Sequence, residues 1–157
     1  MKQAIIIIII SIGFGFVFNA VRSNGISLLK KPLPVLQNTS DISRNDADNE
    51  SGIRMINLEQ ARDFYQEGVL FVDARDGQAY SDGHITGAIS GANFFELLEQ
   101  LVEITTMDLP LVTYCSDEEC GVSEDLAYAL QEEGFSNLLV FKGGWDEWIL
   151  AEYEISK

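Results

Sequence analysis

Between residues 55 and 150, short apolar runs alternate with stretches whose apolar residues recur every three or four positions. Val69-Leu70-Phe71-Val72, Leu111-Val112-Thr113-Tyr114 and Leu138-Leu139-Val140-Phe141 are continuous β-rich runs of strand length, with shorter ones at Met55-Ile56 and Ala88-Ile89. The intervening stretches predict helices. Asn57 is placed to cap the first, with Gln60 three residues on in the manner of a capping box, Leu58, Ala61, Phe64 and Tyr65 on one face, and Gly68 at its close. Asn93 heads a second, with Phe94, Leu97, Leu98 and Leu101 inward; Ser123 heads a third, with Leu126, Ala127, Ala129 and Leu130 inward and Gly134 as its stop. Gly143-Gly144 opens a last helix carrying Trp145 and Trp148. Continuous apolar strands set between amphipathic helices predict an α/β fold with a mainly parallel sheet covered on both faces.

The first fifty residues follow another pattern. The 18 residues from Ala4 to Val21, including six consecutive isoleucines, carry no charge and have no polar face. As a helix they would span roughly 27 Å, enough for a bilayer core. The run predicts an uncleaved transmembrane anchor in residues 1–24; a cleaved export signal is the alternative. Counting Arg22, Lys30 and Lys31 after the run would favour the body inside. The positive lead of Lys2 into an apolar run instead fits an export signal that leaves the body outside, and an extracytoplasmic body is the expectation. Residues 25–54 read as a flexible linker: Pro32 and Pro34 block regular helix, and Gln37 to Gly52 is almost wholly polar. Residues 55–157 form the predicted folded domain.

Composition narrows the function. Ten Lys and Arg stand against 25 Asp and Glu, for a formal charge of -15. A surface that acidic repels phosphate backbones, which argues against nucleic acid, and it repels anionic lipid headgroups, so membrane attachment must come from the apolar run. Cys115, Cys120 and His84 are the only Cys and His residues. They are too few for a four-ligand structural zinc site or a disulfide scaffold, so no metal is expected. These counts leave a thiol protein open.

In open parallel sheets, ligands gather beyond the carboxyl ends of the strands. There the pattern places Asp73-Ala74-Arg75, Cys115 and Lys142-Gly143-Gly144. A cysteine between a strand end and a helix start faces unpaired backbone N–H groups and the positive end of a helix dipole, both of which favour thiolate. Gly121 is expected to let the loop curl so that its amides converge on that sulfur.

Four segments then carry a resemblance. Val72-Asp73-Ala74-Arg75, the stretch Tyr80-Ser-Asp-Gly83-His84-Ile85-Thr-Gly87-Ala88-Ile89, Val112-Thr113-Tyr114-Cys115 with its loop, and Gly143-Gly144-Trp145-Asp-Glu-Trp148 occur in order and at sensible spacing. Across about residues 55–155 the chain resembles the rhodanese-like family. The resemblance implies a three-layer fold around a mainly parallel five-stranded sheet in the order 1-5-4-2-3. It implies sulfur transfer from a small donor to a thiol or cyanide-like acceptor through a persulfide on catalytic Cys115, with no cofactor.

The active-site loop Ser116, Asp117, Glu118, Glu119, Cys120, Gly121, Val122 looks longer than the usual sulfurtransferase loop and nearer in size to that of phosphatases sharing the fold. Those phosphatases need an arginine at the loop's end, where this chain has Gly121 and Val122. Asp117, Glu118 and Glu119, with Glu124 and Asp125 behind them, are expected to repel a dianion such as thiosulfate, leaving only Arg75 and Lys142 to offset them. Asp73, Arg75 and Lys142 are the candidate supporting residues, the first two with a mainly structural role, and His84 is read as a satisfied structural group rather than a base. Cys120 is a candidate resolving thiol. Its presence keeps open a thiol–disulfide redox element working with a protein thiol partner, and the fold alone also admits a non-catalytic interaction module.

Overall fold

A computed structural model describes residues 52–91 and 93–157, together with Ser11, Phe14, Phe18, Leu33 and Val35. The chain divides into two compact units, Met1–Pro32 and Leu33–Lys157. In the first, Ser11, Phe14 and Phe18 are helical, and the two phenyl rings stack with centroids 6.4 Å apart. Among the described residues no helix is long and apolar enough to cross a membrane. Apart from Ser11, Phe14 and Phe18, the predicted anchor lies outside the described residues, as does most of the predicted linker.

In the second unit, strand β1 (Ile53–Ile56) leads into helix α1 (Leu58–Gln66), and β2 (Leu70–Asp73) into α2 (Gly77–Asp82). Then follow β3 (His84–Ile85), α3 (Phe94–Ile104), β4 (Leu111–Tyr114), α4 (Val122–Glu132), β5 (Leu138–Phe141), α5 (Gly144–Leu150) and β6 (Ile155–Ser156). The main sheet is parallel, in the order β1-β5-β4-β2. The fifth strand expected at Ala88-Ile89 is reduced to one parallel bridge between Ile89 and Val72, so among the described residues the main sheet has four strands and not five. A small antiparallel pair, β3 with β6, ties the C-terminus to the segment around His84.

Strand alternation divides the apolar residues between two cores. Ile56, Phe71, Val112, Tyr114, Leu139 and Phe141 face Ala61 and Phe64 of α1 and Trp148 of α5. Ile53, Val72, Leu111, Leu138 and Val140 face Leu97 and Leu101 of α3 and Ala127 and Leu130 of α4. Helices therefore cover both sheet faces, as continuous apolar strands require.

The capping box is present: Asn57 Oδ1 accepts from Gln60 N at 2.9 Å, and Gln60 Oε1 accepts from Asn57 N at 3.0 Å. Asn93 caps α3. Strand β1 begins at Ile53, Leu33 is buried in the second core, and Val35 bridges Met55. One local expectation gives way. Ser123 does not cap α4. Gly121 is the N-cap, without a side-chain bond, while Ser123 is buried and its carbonyl accepts the Thr113 hydroxyl at 3.0 Å. That bond ties β4 to the first turn of α4.

Candidate active site

Strands β4, β2 and β5 end side by side, and their ends deliver Cys115, Asp73 and Lys142 to one edge of the sheet. Cys115 follows β4 directly and is 5% exposed. Its carbonyl accepts the Trp145 N–H at 2.8 Å, and the Ser116 carbonyl accepts that of Asp146 at 2.9 Å. The first turn of α5 thus clamps the backbone on which the cysteine sits. Gly144 makes the clamp possible: its φ is +59°, and a Cβ there would collide with the Cys115 and Ser116 carbonyls.

Cys115 is joined to Cys120 by a disulfide, with Cα atoms 6.2 Å apart. The loop turns back on itself through Asp117, whose Oδ1 accepts from Glu119 N at 2.9 Å and Cys120 N at 3.1 Å. These two amides therefore face a carboxylate of their own loop. The expectation that Gly121 would bend the loop does not hold: its φ of -83° is one any residue adopts, and the curl comes from Asp117.

The predicted supporting residues separate. Lys142 reaches the loop, donating from Nζ to the Cys120 carbonyl at 3.4 Å, with Glu124 Oε1 3.9 Å away. Asp73 and Arg75 belong to a different constellation. Arg75 grips the buried Asp73 carboxylate through Nε and through Nη2, the latter at 2.6 Å, and donates to the Gly83 carbonyl at 2.7 Å. Its guanidinium lies 4.5 Å above the Trp145 ring. Arg75 is thus committed to structure, and Lys142 is left as the cation at the loop.

Sequence reasoning missed Tyr114, which completes that constellation by donating its hydroxyl to Asp73 at 2.6 Å while accepting from Ile85 N at 3.2 Å. Burial, then the Asp73 charge and hydrogen bond, push the Tyr114 phenol far above its ordinary range. Only its place beside Cys115, after a D-x-R strand end, hinted at it. Because Arg75 stacks on Trp145 and Trp145 holds the Cys115 carbonyl, the network buttresses the Cys115 backbone from behind. His84 lies with Nδ1 3.0 Å from the Tyr80 carbonyl and its ring stacked on Tyr80. Among the described residues no cluster of His, Cys, Asp or Glu is arranged to hold a metal ion.

A parallel sheet wrapped by helices, with a cysteine at the end of its central strand and a loop turning from it into a helix, defines a class. The chain belongs to the rhodanese-like domain family, which matches residues 57–151. It is 35% identical over 98 residues to the thiosulfate sulfurtransferase GlpE of Pseudomonas entomophila, covering 62% of this chain and 86% of that protein. It is 33% identical over 101 residues to the same-named enzyme of Haemophilus influenzae (strain PittEE), covering 64% and 91%. The crystal structure of the BH2092 protein from Bacillus halodurans superposes with a TM-score of 0.55 at 23% identity, over 64% of this chain and 74% of that one, which is a likeness of fold.

Proposed function

We propose that this chain is a sulfurtransferase that carries sulfane sulfur as a persulfide on Cys115. The observation that carries the reading is Cys115 itself, held at the end of β4 by the α5 clamp in a chain related to thiosulfate sulfurtransferases. Reduction of the Cys115–Cys120 disulfide frees the nucleophile. The thiolate attacks the outer sulfur of a donor, the donor's S–S bond breaks, and the leaving group departs with the electron pair, as sulfite does from thiosulfate. An acceptor nucleophile, cyanide or a thiol, then attacks the outer persulfide sulfur and releases the Cys115 thiolate. The start of α4 and the Lys142 ammonium supply positive potential near the site, while Asp117, Glu118 and Glu119 oppose a dianionic donor.

The test is thiocyanate formation from a sulfur donor and cyanide after reduction of the chain. Wild type turns over. Cys115→Ser, nearly isosteric, remains folded and loses the activity; undiminished turnover in that variant would remove Cys115 from the mechanism.

The disulfide favours a second reading, in which dithiol–disulfide cycling with a protein thiol partner is itself the function. That reading predicts loss of activity toward a protein disulfide in Cys120→Ser as well as Cys115→Ser, with no persulfide formed in either.

We also propose that Ala4–Val21 anchors the chain as a single pass, with the folded unit on the extracytoplasmic side. The support is the length and charge-free composition of that run and the lone Lys2 before it.

A further inference from the structure

Each transfer cycle needs a group to take sulfur from Cys115, and the loop carries a thiol within bonding reach. The Cα separation of 6.2 Å is ordinary for a disulfide. The turn is held by more than the S–S bond. Asp117 Oδ1 binds the amides of Glu119 and Cys120, the Asp117 carbonyl accepts from Cys120 N at 3.3 Å, and Lys142 Nζ donates to the Cys120 carbonyl. None of these bonds involves sulfur, so reduction leaves the Cys120 thiol beside Cys115. The two cysteines also differ in access: Cys115 is buried, while Cys120 is partly exposed.

From this geometry we infer that Cys120 is the chain's built-in sulfur acceptor, so that the loaded enzyme releases sulfide and closes as the Cys115–Cys120 disulfide. The inference rests on the persulfide reading above and deepens it. In the persulfide, the inner sulfur is the Cys115 Sγ, the atom that the Cys120 Sγ bonds in this structure. The Cys120 thiolate attacks that atom, the bond to the outer sulfur breaks, and the outer sulfur leaves with the electron pair as hydrosulfide. Persulfide and thiol become disulfide and hydrogen sulfide: the sulfane sulfur gains two electrons and the cysteine pair loses them.

The disulfide must then be reopened by a dithiol reductant. Its first thiolate attacks the more exposed Cys120 Sγ and expels the Cys115 thiolate directly, ready for the next donor. Its second thiol resolves the mixed disulfide on Cys120, leaving the reductant oxidised. Asp117, Glu118 and Glu119 are exposed beside Cys120. A protein reductant that fits this rim carries a neutral or basic surface around its dithiol.

The experiment uses the full chain, reduced and freed of reductant, then given thiosulfate or sodium tetrasulfide with no added thiol, with Cys115→Ser as the background. Wild type is expected to release about one sulfide per chain beyond background and to end about 2 Da lighter than the reduced protein. Cys120→Ser and Cys120→Ala should keep a gain of about 32 Da and release at least roughly tenfold less sulfide. Dithiothreitol should enable a second round in wild type. The inference is overturned if wild type holds the added sulfur as long as the Cys120 variants do and no disulfide forms. Thiocyanate made from cyanide by the same samples separates the two claims. Transfer to cyanide without internal sulfide release leaves the sulfurtransferase reading standing alone. Absence of both added mass and thiocyanate in every sample removes the reading and the inference together.

Discussion

Gly144 and its neighbour Gly143 make the clamp on Cys115 measurable. Replacing Gly144 by alanine puts an L side chain at φ +59°, which costs about 1–2 kcal/mol by itself. The new Cβ also runs into the carbonyls of Cys115 and Ser116, which cannot swing aside without weakening the bonds from Trp145 N at 2.8 Å and Asp146 N at 2.9 Å. Each such bond contributes about 1 kcal/mol net, so the expected loss is about 3 kcal/mol in all. For a folded unit of this size that corresponds to a fall in Tm on the order of 15 °C. Gly143→Ala is the matched control. Its φ of -63° suits any residue, and the three atoms nearest its Cβ all belong to the flexible Glu147 side chain. That variant should lose less than about 1 kcal/mol. Urea unfolding followed by circular dichroism, on oxidised and on reduced protein, gives both numbers. Equal, small losses in the two variants would refute the claim that the α5 turn holds the Cys115 backbone by close approach.

Further consequences can be checked separately. Changing Asp117, Glu118 and Glu119 together to the corresponding amides should raise activity with thiosulfate by up to roughly tenfold, since each is exposed and acts through screened charge. Added salt should narrow the gap, and Asn at 117 keeps the acceptor for the loop amides; high, salt-indifferent wild-type activity would contradict the repulsion argument. Tyr114 stays neutral in the folded protein above its unfolded value of 10.0, where the unfolded chain gives up the proton. Stability from this group is thus complete below pH 10.0 and lost as pH rises beyond it, so Tyr114→Phe should flatten the alkaline limb of unfolding free energy against pH. An alkaline limb as steep as that of wild type would assign the loss to other groups. The full-length protein should sediment with membranes and resist extraction by salt; a mature N-terminus near Val21 would replace the anchor by a cleaved signal.

Local chemistry made much of this fold readable. Leu111–Tyr114 and Leu138–Phe141 are strands over the residues their apolar runs mark, because central strands buried on both faces admit little else. Asn57 with Gln60 announced α1 because a capping box is complete within four residues. What escaped was decided by distant partners. Helix α2 buries no residue and so leaves no apolar period to detect; the Asp76 carboxylate starts it by accepting from Ala79 N. Helix α4 starts without a capping side chain at Ser123, whose carbonyl instead accepts the Thr113 hydroxyl from β4. At the site, the spacing of Cys120 left its bond to Cys115 open, whereas the position of Cys115 at the end of β4 followed from strand-end logic. The Asp73–Arg75–Tyr114 network did not, since it joins residues 41 apart in sequence. Nor did the turn through Asp117, whose negative charge is plain in the sequence while the folding of the loop by its carboxylate is not.

The central claim is that Cys115 carries the transferred sulfur. The most direct measurement is the mass of the peptide containing Cys115, from Cys120→Ser protein that has been reduced, exposed to a sulfur donor, and digested without reductant. The account predicts a gain of about 32 Da on that peptide, erased by cyanide with one thiocyanate formed. A Cys115 peptide of unchanged mass, from protein that still produces thiocyanate, would contradict it.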